Sequence, residues 1–260
     1  MGPAKTSVRI SVILPSYNEM QNISRGVLDE VYTYLEKQSY SWEIVLTDDG
    51  STDGTLDALY AFEKTHDHVM VLNNPHQGKG PTVASGMLVA HGKLRLFSDF
   101  DQATPIHEVE RLLPFFDDGY DIVIGSREVQ GARREKEPFH RHIMGKGFNL
   151  FVKLFTVRGI QDTQCGFKMF TDQAAKTLFP MLSVYKAGNV RGDAFTGAFD
   201  VELLYIAKKK NLKIAEVPVF WKHIKTNRVD PIKDSTRMLI DLVKIRFSDM
   251  LGAYSETRKQ

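Results

Sequence analysis

Short apolar runs rich in β-branched residues repeatedly give way to a polar loop and then to a segment with helical spacing, and nothing else in this chain constrains its fold as strongly. The strand patterns are Val8 to Leu14, ended by Pro15, then Trp42 to Thr47, His68 to Leu72, Leu94 to Ser98 and Asp121 to Ile124. Helical spacing covers Asn22 to Lys37, with Ile23, Val27, Val31 and Leu35 on one face, and then Leu56 to Phe62, Thr82 to Ala90 and Glu108 to Phe116. Alternation of this kind predicts an α/β fold: a Rossmann-like, mostly parallel sheet flanked by helices, with right-handed crossovers. Each polar loop follows a strand, and open α/β sheets bind ligands beyond the carboxyl ends of their strands. Tyr17, Glu19, Asp48, Asp49, Lys79, Asp99 and Asp101 are therefore expected along one rim.

The chain is long enough, at 260 residues, for one large domain with a sizeable core. Its 34 basic and 32 acidic residues nearly cancel, to a formal charge of +2, so no general affinity for polyanions follows and nucleic acid is not an expected partner. A lone Cys165 rules out an intrachain disulfide framework and fits a reducing compartment. There is no signal-peptide pattern and no apolar run of about eighteen residues, so no transmembrane helix is expected within these residues.

Asp99 and Asp101 stand one residue apart at the end of the fourth strand pattern. If the strand geometry continues, both carboxylates project to the same side. Carboxylates so close are tolerable in water or around a cation, and oxygen ligands of this kind suit Mg²⁺ or Mn²⁺, which usually also hold substrate phosphates. An isolated Asp-x-Asp reads more simply as a solvated acidic turn; the convergence of polar loops on one rim favours the metal. Other nucleotide motifs fit poorly. Gly78-Lys-Gly80 has Gly80 where a Walker loop needs Ser or Thr, and Val83 occupies the third glycine position of a dinucleotide fingerprint. His107-Glu108 lacks the second histidine of a zinc-protease helix, and His140-x-His142 reads as surface or phosphate-facing before it reads as a metal site.

Ser11-Val-Ile-Leu-Pro-Ser-Tyr-Asn-Glu19, Asp48-Asp-Gly-Ser-Thr-Asp53, Gly78-Lys-Gly80 and Asp99-Phe-Asp101 resemble, in order and spacing, the signature of inverting family 2 glycosyltransferases with the GT-A fold. Gly125-Ser-Arg127, Asp162-Thr-Gln-Cys-Gly-Phe-Lys168 and Ala198-Phe-Asp-Val-Glu-Leu-Leu204 are similar to the dolichyl-phosphate glucosyltransferase branch, with the related mannosyltransferases slightly further off. The resemblance covers roughly residues 8 to 254. It implies that Pro15, Tyr17, Glu19 and Asp48 hold the nucleotide base and ribose, with Asp49 beside them. It also implies that Asp99 and Asp101 hold the metal on the diphosphate. Related mannosyltransferases add a glutamine ligand two residues beyond the second aspartate; here that residue is Ala103, with Gln102 displaced by one. Lys79 either meets phosphate or is a solvated loop lysine.

The acceptor in this family is a polyprenyl phosphate monoester, already mostly dianionic near neutral pH, so it needs no strong general base. What it needs is guanidinium groups, whose planar fork matches phosphate oxygens. Arg127, Arg141 and Arg228 are the candidates for the acceptor phosphate, with Arg133 and Arg134 as nearby competitors. Asp200 sits where the family places a carboxylate near acceptor and sugar, and could equally cap a helix over Val201 to Ala207. Asp162 and Gln164 are expected to shape the sugar pocket, although Asp162 could simply order a turn. Asp101, Arg127 and Asp200 are expected at the reacting atoms. Cys165 reads as a packed small residue.

Two amphipathic segments, Ile143 to Val157 and Met238 to Leu251, are either core helices or helices in a headgroup plane. In the second, Arg237, Asp241, Lys244 and Ser248 share a face against Leu239, Leu242, Ile245 and Phe247. Eukaryotic members of the glucosyl branch carry an N-terminal membrane anchor, which is not seen at the start of this sequence. The expectation is a GT-A domain over residues 8–232, with a nucleotide-sugar half over about 8–125 and an acceptor half over about 126–232, followed by an amphipathic helix over 233–254. The expected activity is metal-dependent, inverting hexose transfer to a polyprenyl or dolichyl phosphate, UDP-glucose being the favoured donor, by an enzyme peripheral on the cytoplasmic face of a membrane. The alternatives are a GDP-mannose-dependent mannosyltransferase, a family 2 transferase with a soluble or polysaccharide acceptor, and a nucleotide-sugar-binding module without turnover.

Overall fold

The computed structural model describes residues 7–135, 157, 159–186, 188, 197–224 and 231–255. Strands β1 (Ile10–Ser16), β2 (Trp42–Asp48), β3 (Val69–Asn73) and β4 (Leu94–Ser98) run parallel, with β1 between β2 and β4. Every residue of β1 is buried, as a central parallel strand covered on both faces requires. β5 (Ile122–Ser126) pairs in parallel with β8 (Ile214–Pro218). Between β4 and β5 lies β7 (Phe167–Thr171), antiparallel to both, so the seven-stranded order is β3-β2-β1-β4-β7-β5-β8. β6 (Arg133–Arg134) and β9 (Phe220–Trp221) form a separate two-stranded ribbon.

The core lies on both sheet faces, because alternate residues of each strand point to opposite sides. Ile13, Val45, Phe97 and Phe170 pack on one face with α4 (Lys79–Val89) and α7 (Phe199–Lys209). Val12, Leu14, Leu46 and Leu96 pack on the other with α2 (Val27–Glu36) and α5 (Val109–Asp117). Among the described residues, α1 (Met20–Ser24), α3 (Thr55–Thr65) and α6 (Asp172–Leu178) are the other α-helices before the last one.

Two boundaries differ from the sequence pattern. The helix expected over Asn22 to Lys37 is broken at Gly26, whose φ of +85° is left-handed and ends α1 before α2 begins. β1 continues through Pro15 to Ser16. Ser16 O accepts from Asp49 N on the β2 side, so Pro15 faces the β4 side, where pairing has already stopped at Ile13–Phe97. A missing N–H is harmless there.

The last helix, α8 (Pro231–Met250), packs by one face only. Leu242 and Ile245 are buried in the core, and Asp241 turns inward at 2 % exposure to accept from Tyr185 Oη. The face expected to group Arg237, Asp241, Lys244 and Ser248 against Leu239, Leu242, Ile245 and Phe247 is thus divided differently: Asp241 is inside, while Leu239 and Phe247 are outside. Beyond the helix, buried Tyr254 donates to Glu202 Oε1 at 2.7 Å and ties the C-terminal segment to α7. Among the described residues, no helix is long and apolar enough to cross a membrane. Of the segment Ile143 to Val157, only Val157 is among the described residues, and it is fully buried.

Candidate active site

β1 is the strand at which the connection order reverses, β2 and β3 lying to one side and β4 to the other. The cleft beyond such a switch point is where a parallel sheet offers loop residues to a ligand. Because β7 is antiparallel, its N-terminal end reaches this same rim, next to the C-terminal end of β4, with Ser98 opposite Phe167.

Asp99 leaves β4 with its N–H bonded to Gly166 O at 2.9 Å, and its partly exposed carboxylate accepts from Lys79 Nζ at 2.5 Å. Lys79, the first residue of α4, is therefore paired and mostly buried rather than solvated. Its ammonium is held charged above the ordinary range: burial opposes this, and the carboxylates of Asp99 and Asp200 overcome it. Asp101 accepts from Ala103 N at 2.9 Å, while Arg25 Nη2 grips its carbonyl at 2.6 Å. Burial, and then the charge of Asp99, push the Asp101 carboxyl up to about 6. A cation between the two relieves that repulsion, so the donor set fits a hard divalent metal. Among the described residues no group of three or more His, Cys, Asp or Glu converges on a metal position. Gln102, at a left-handed φ of +53°, folds back to donate to Ser98 Oγ and Asp99 O, both at 3.0 Å, beneath the aspartates.

Asp200 lies in the first turn of α7, whose N-cap is Ala198 with no side-chain cap bond, so Asp200 does not cap the helix. Its carboxylate accepts from Lys168 Nζ at 2.6 Å, and that ammonium, completely buried, also donates to Cys165 O. Burial pushes the Asp200 carboxyl above its usual range, with Lys168 and Lys79 pulling the other way. The result is a charge cluster in which Lys79 links Asp99 electrostatically to Asp200. Cys165 is packed, and burial pushes its thiol up to about 12.

Arg127 follows β5 and forms a two-pronged pair with Asp162, Nε to Oδ2 at 2.7 Å and Nη2 to Oδ1 at 2.8 Å, while its N–H also meets Oδ2. Its guanidinium lies 5.6 Å from the Trp221 ring centroid, which carries Arg134 at 5.4 Å as well. Asp162 is fully buried: burial would raise its carboxyl, but Arg127 holds it down at about 2. Asp162 is thus fully buried against Arg127, whose guanidinium it orients. Gln164 is half-buried, its Nε2 3.8 Å from Met238 Sδ of α8.

The expected donor loops meet on the other side. Asp48 is fully buried and accepts from Ser51 N at 2.8 Å, Ser51 Oγ at 2.5 Å and Ser16 Oγ at 3.2 Å, so its carboxylate orders the loop. Asp49, 3 % exposed, accepts from Gln77 N, Gly78 N, Thr82 Oγ1 and His76 Nδ1 and so fastens the loop before α4. Tyr17, half-buried after β1, stacks on His76 with centroids 4.3 Å apart and planes 11° apart. Glu19, also half-buried, accepts from Asn22 Nδ2, and its charge is one that raises Asp101. Pro15 is buried inside β1. Arg141 and Arg228, with His140 and His142, lie outside the described residues.

Lys168, Gly166, Arg25, His76 and Trp221 were not singled out by sequence. Lys168 and Gly166 carried a signal, since both stand in the motif that begins at Asp162; the others carried none.

A family model described as "Glycosyl transferase family 2" matches residues 11–179. A dolichyl-phosphate beta-glucosyltransferase of Dictyostelium discoideum is 36 % identical over 95 % of this chain and 77 % of its own length. Its Drosophila melanogaster namesake is 37 % identical, over 95 % of this chain and 77 % of its own length. Among solved structures, mannosyl-3-phosphoglycerate synthase from Rubrobacter xylanophilus superposes with a TM-score of 0.62 at 20 % identity, covering 97 % of this chain and 77 % of that one, which agrees with the GT-A architecture. With the ordered motifs on one rim and relatives matched over nearly its whole length, the chain belongs to glycosyl transferase family 2 and is a glycosyltransferase.

Proposed function

We propose that this enzyme transfers a glucosyl group from UDP-glucose, with inversion, to the phosphate of a polyprenyl or dolichyl phosphate at the cytoplasmic face of a membrane. The observation that carries the proposal is the cluster of charges at the rim: Lys79 paired with Asp99 and within the fields of Asp101 and Asp200, Lys168 paired with Asp200, and Arg127, oriented by Asp162, within the field of Asp99. Such a site suits two phosphorylated ligands, and the names of the curated relatives support the acceptor.

In this reading an acceptor phosphate oxygen attacks the anomeric carbon as the bond from that carbon to the nucleoside diphosphate breaks, and the electron pair leaves with the diphosphate. Asp99 and Asp101 would hold Mg²⁺ or Mn²⁺, which when bound offsets the charge of the leaving diphosphate. Arg127 offers its guanidinium to the acceptor phosphate, held in place by Asp162 and Trp221. Lys79 adds positive charge beside the diphosphate. Asp200 keeps a carboxylate near the sugar, while the acceptor, already ionised, needs no proton removed.

The lipid reading has separate support from α8. Leu239, Ile240, Val243, Phe247 and Met250 are 36, 51, 68, 58 and 83 % exposed, and Leu251 just beyond is 72 % exposed. At 100° per residue these positions fall in one arc of about 120°. Lys244 and Arg246 stand at opposite edges of it, so an apolar face is bordered by basic residues, as lipid headgroups favour. The opposite, inward side of the same helix touches Gln164 through Met238 and Tyr185 through Asp241.

The test is nucleotide release from UDP-glucose with Mg²⁺, with and without a short polyprenyl phosphate, alongside GDP-mannose. UDP release that requires the lipid phosphate establishes acceptor and donor together. Release of GDP instead would reassign the donor, and release without lipid phosphate would reassign the acceptor.

A further inference from the structure

We infer that Gly166 is a positioning residue: the absence of a side chain there makes the space in which the Asp99 carboxylate sits. This rests on the reading of Asp99 as a ligand of the donor's divalent cation. A Cβ built on Gly166 would fall closer than 3.0 Å to the Asp99 carboxyl carbon and both of its oxygens, an approach that real Cβ atoms essentially never show. Those are the three nearest atoms it would meet, so the first obstacle is one short side chain. The main chain adds to the contact, since Gly166 O accepts from Asp99 N at 2.9 Å and fixes where the carboxylate leaves the strand.

The neighbouring peptide does the corresponding service for Asp200. Cys165 O accepts from Lys168 Nζ, and Lys168 in turn holds Asp200. Residues 165 and 166 thus hold the two acidic sides of the site in register, one by a carbonyl and a lysine, the other by a carbonyl and a bare Cα. An alanine at 166 forces the Asp99 side chain to rotate away, which moves the carboxylate relative to Asp101 and Lys79. The fold has no comparable reason to change.

The experiment measures Mn²⁺ binding by the electron paramagnetic resonance of free Mn²⁺ in the presence of UDP, for wild type, Gly166→Ala, Asp99→Ala and the double variant, with a thermal melt of each. Gly166→Ala is expected to weaken Mn²⁺ binding by about 10- to 100-fold, as loss of a group that orients a metal ligand does, and to lower the melting temperature slightly, by an amount that Asp99→Ala abolishes. The double variant is expected to bind no worse than Asp99→Ala alone. Normal Mn²⁺ affinity in Gly166→Ala, where Asp99→Ala has lost it, overturns the inference, as does a double variant with additive losses. Normal affinity in Asp99→Ala sinks the metal reading instead. The contact is then judged by the melts: a Gly166→Ala destabilisation that vanishes in the Asp99→Ala background upholds it, and one that persists, or none at all, refutes it.

Discussion

Replacing Lys168 by methionine removes a charge while keeping most of the side chain's length. In the native protein this ammonium is completely buried, 2.6 Å from Asp200 Oδ1, bonded to Cys165 O and 5.6 Å from the centroid of the Phe97 ring. Methionine fills the apolar space over Phe97 but leaves a carboxylate, 8 % exposed, facing a thioether. Breaking a buried ion pair by deleting one partner costs about 3–5 kcal/mol. Lys79 still acts on Asp200, so the lower end is expected. For a chain of this size about 3 kcal/mol corresponds to a melting temperature lower by roughly 6–12 °C.

The pH dependence has a definite sign. Burial already raises the folded-state pKa of Asp200, and losing Lys168 raises it further. A carboxyl whose folded pKa lies above its unfolded value favours the native state at low pH and loses that contribution as pH rises through the folded value. The deficit of Lys168→Met should therefore be smallest near pH 4 and grow toward pH 8. Differential scanning calorimetry across that interval reads it, and adding Asp200→Asn should recover most of the loss. A deficit independent of pH, or a melting temperature within about 2 °C of wild type at pH 8, would refute the reasoning.

Asp162 has the opposite sign. Arg127 overcomes burial and holds its folded pKa at about 2, below the ordinary 3.8, so its contribution is complete above the unfolded value and lost as pH falls toward 2. Asp162→Asn should cost about 2 kcal/mol or more at pH 7 and progressively less below pH 4, read by urea unfolding at both. Asp101→Asn should raise the Mg²⁺ concentration for half-maximal UDP release at least about tenfold; an unchanged metal titration counts against the aspartate pair as the cation site. Val243→Glu and Phe247→Glu alter side chains that are 68 and 58 % exposed, so stability should move by about 0.5 kcal/mol or less, whereas sedimentation with anionic vesicles should fall sharply. Vesicle binding that survives both changes removes the lipid role of α8. Gly26→Ala should cost about 1–2 kcal/mol in denaturant unfolding, because its φ is +85° and its added Cβ would meet nothing within 4 Å, leaving only the backbone penalty.

Much of the rim could be read from the chain because it is built from local units. A strand, a loop and a returning helix put Tyr17, Asp48, Asp49, Lys79, Asp99 and Asp101 on one rim as soon as the strands are taken as parallel, and the observed register places them there. What each side chain does on that rim was less legible. Asp48 and Asp49 stand in loops that the pattern puts on the rim, and in the structure both are buried and bonded to Ser16, Ser51, Thr82, the His76 ring and the Gln77 and Gly78 backbone. Burial decides this, and burial depends on what packs over the loop.

By itself, then, the sequence determined the parallel, strand-after-strand half of the sheet and the position of its carboxylates, since period, turn chemistry and the rule of right-handed crossovers act over neighbouring residues. Long-range packing, by contrast, sets Phe167–Thr171 into the sheet backwards between β4 and β5. That insertion brings Gly166 beneath Asp99 and Lys168 onto Asp200, contacts between residues 67 and 32 positions apart for which no local period exists. Long-range packing likewise sets which side of α8 faces the core. The helix has apolar residues on both sides, and the choice falls to Tyr185, which draws Asp241 inward, and to the apolar packing around Leu242 and Ile245, leaving Val243 and Phe247 outside.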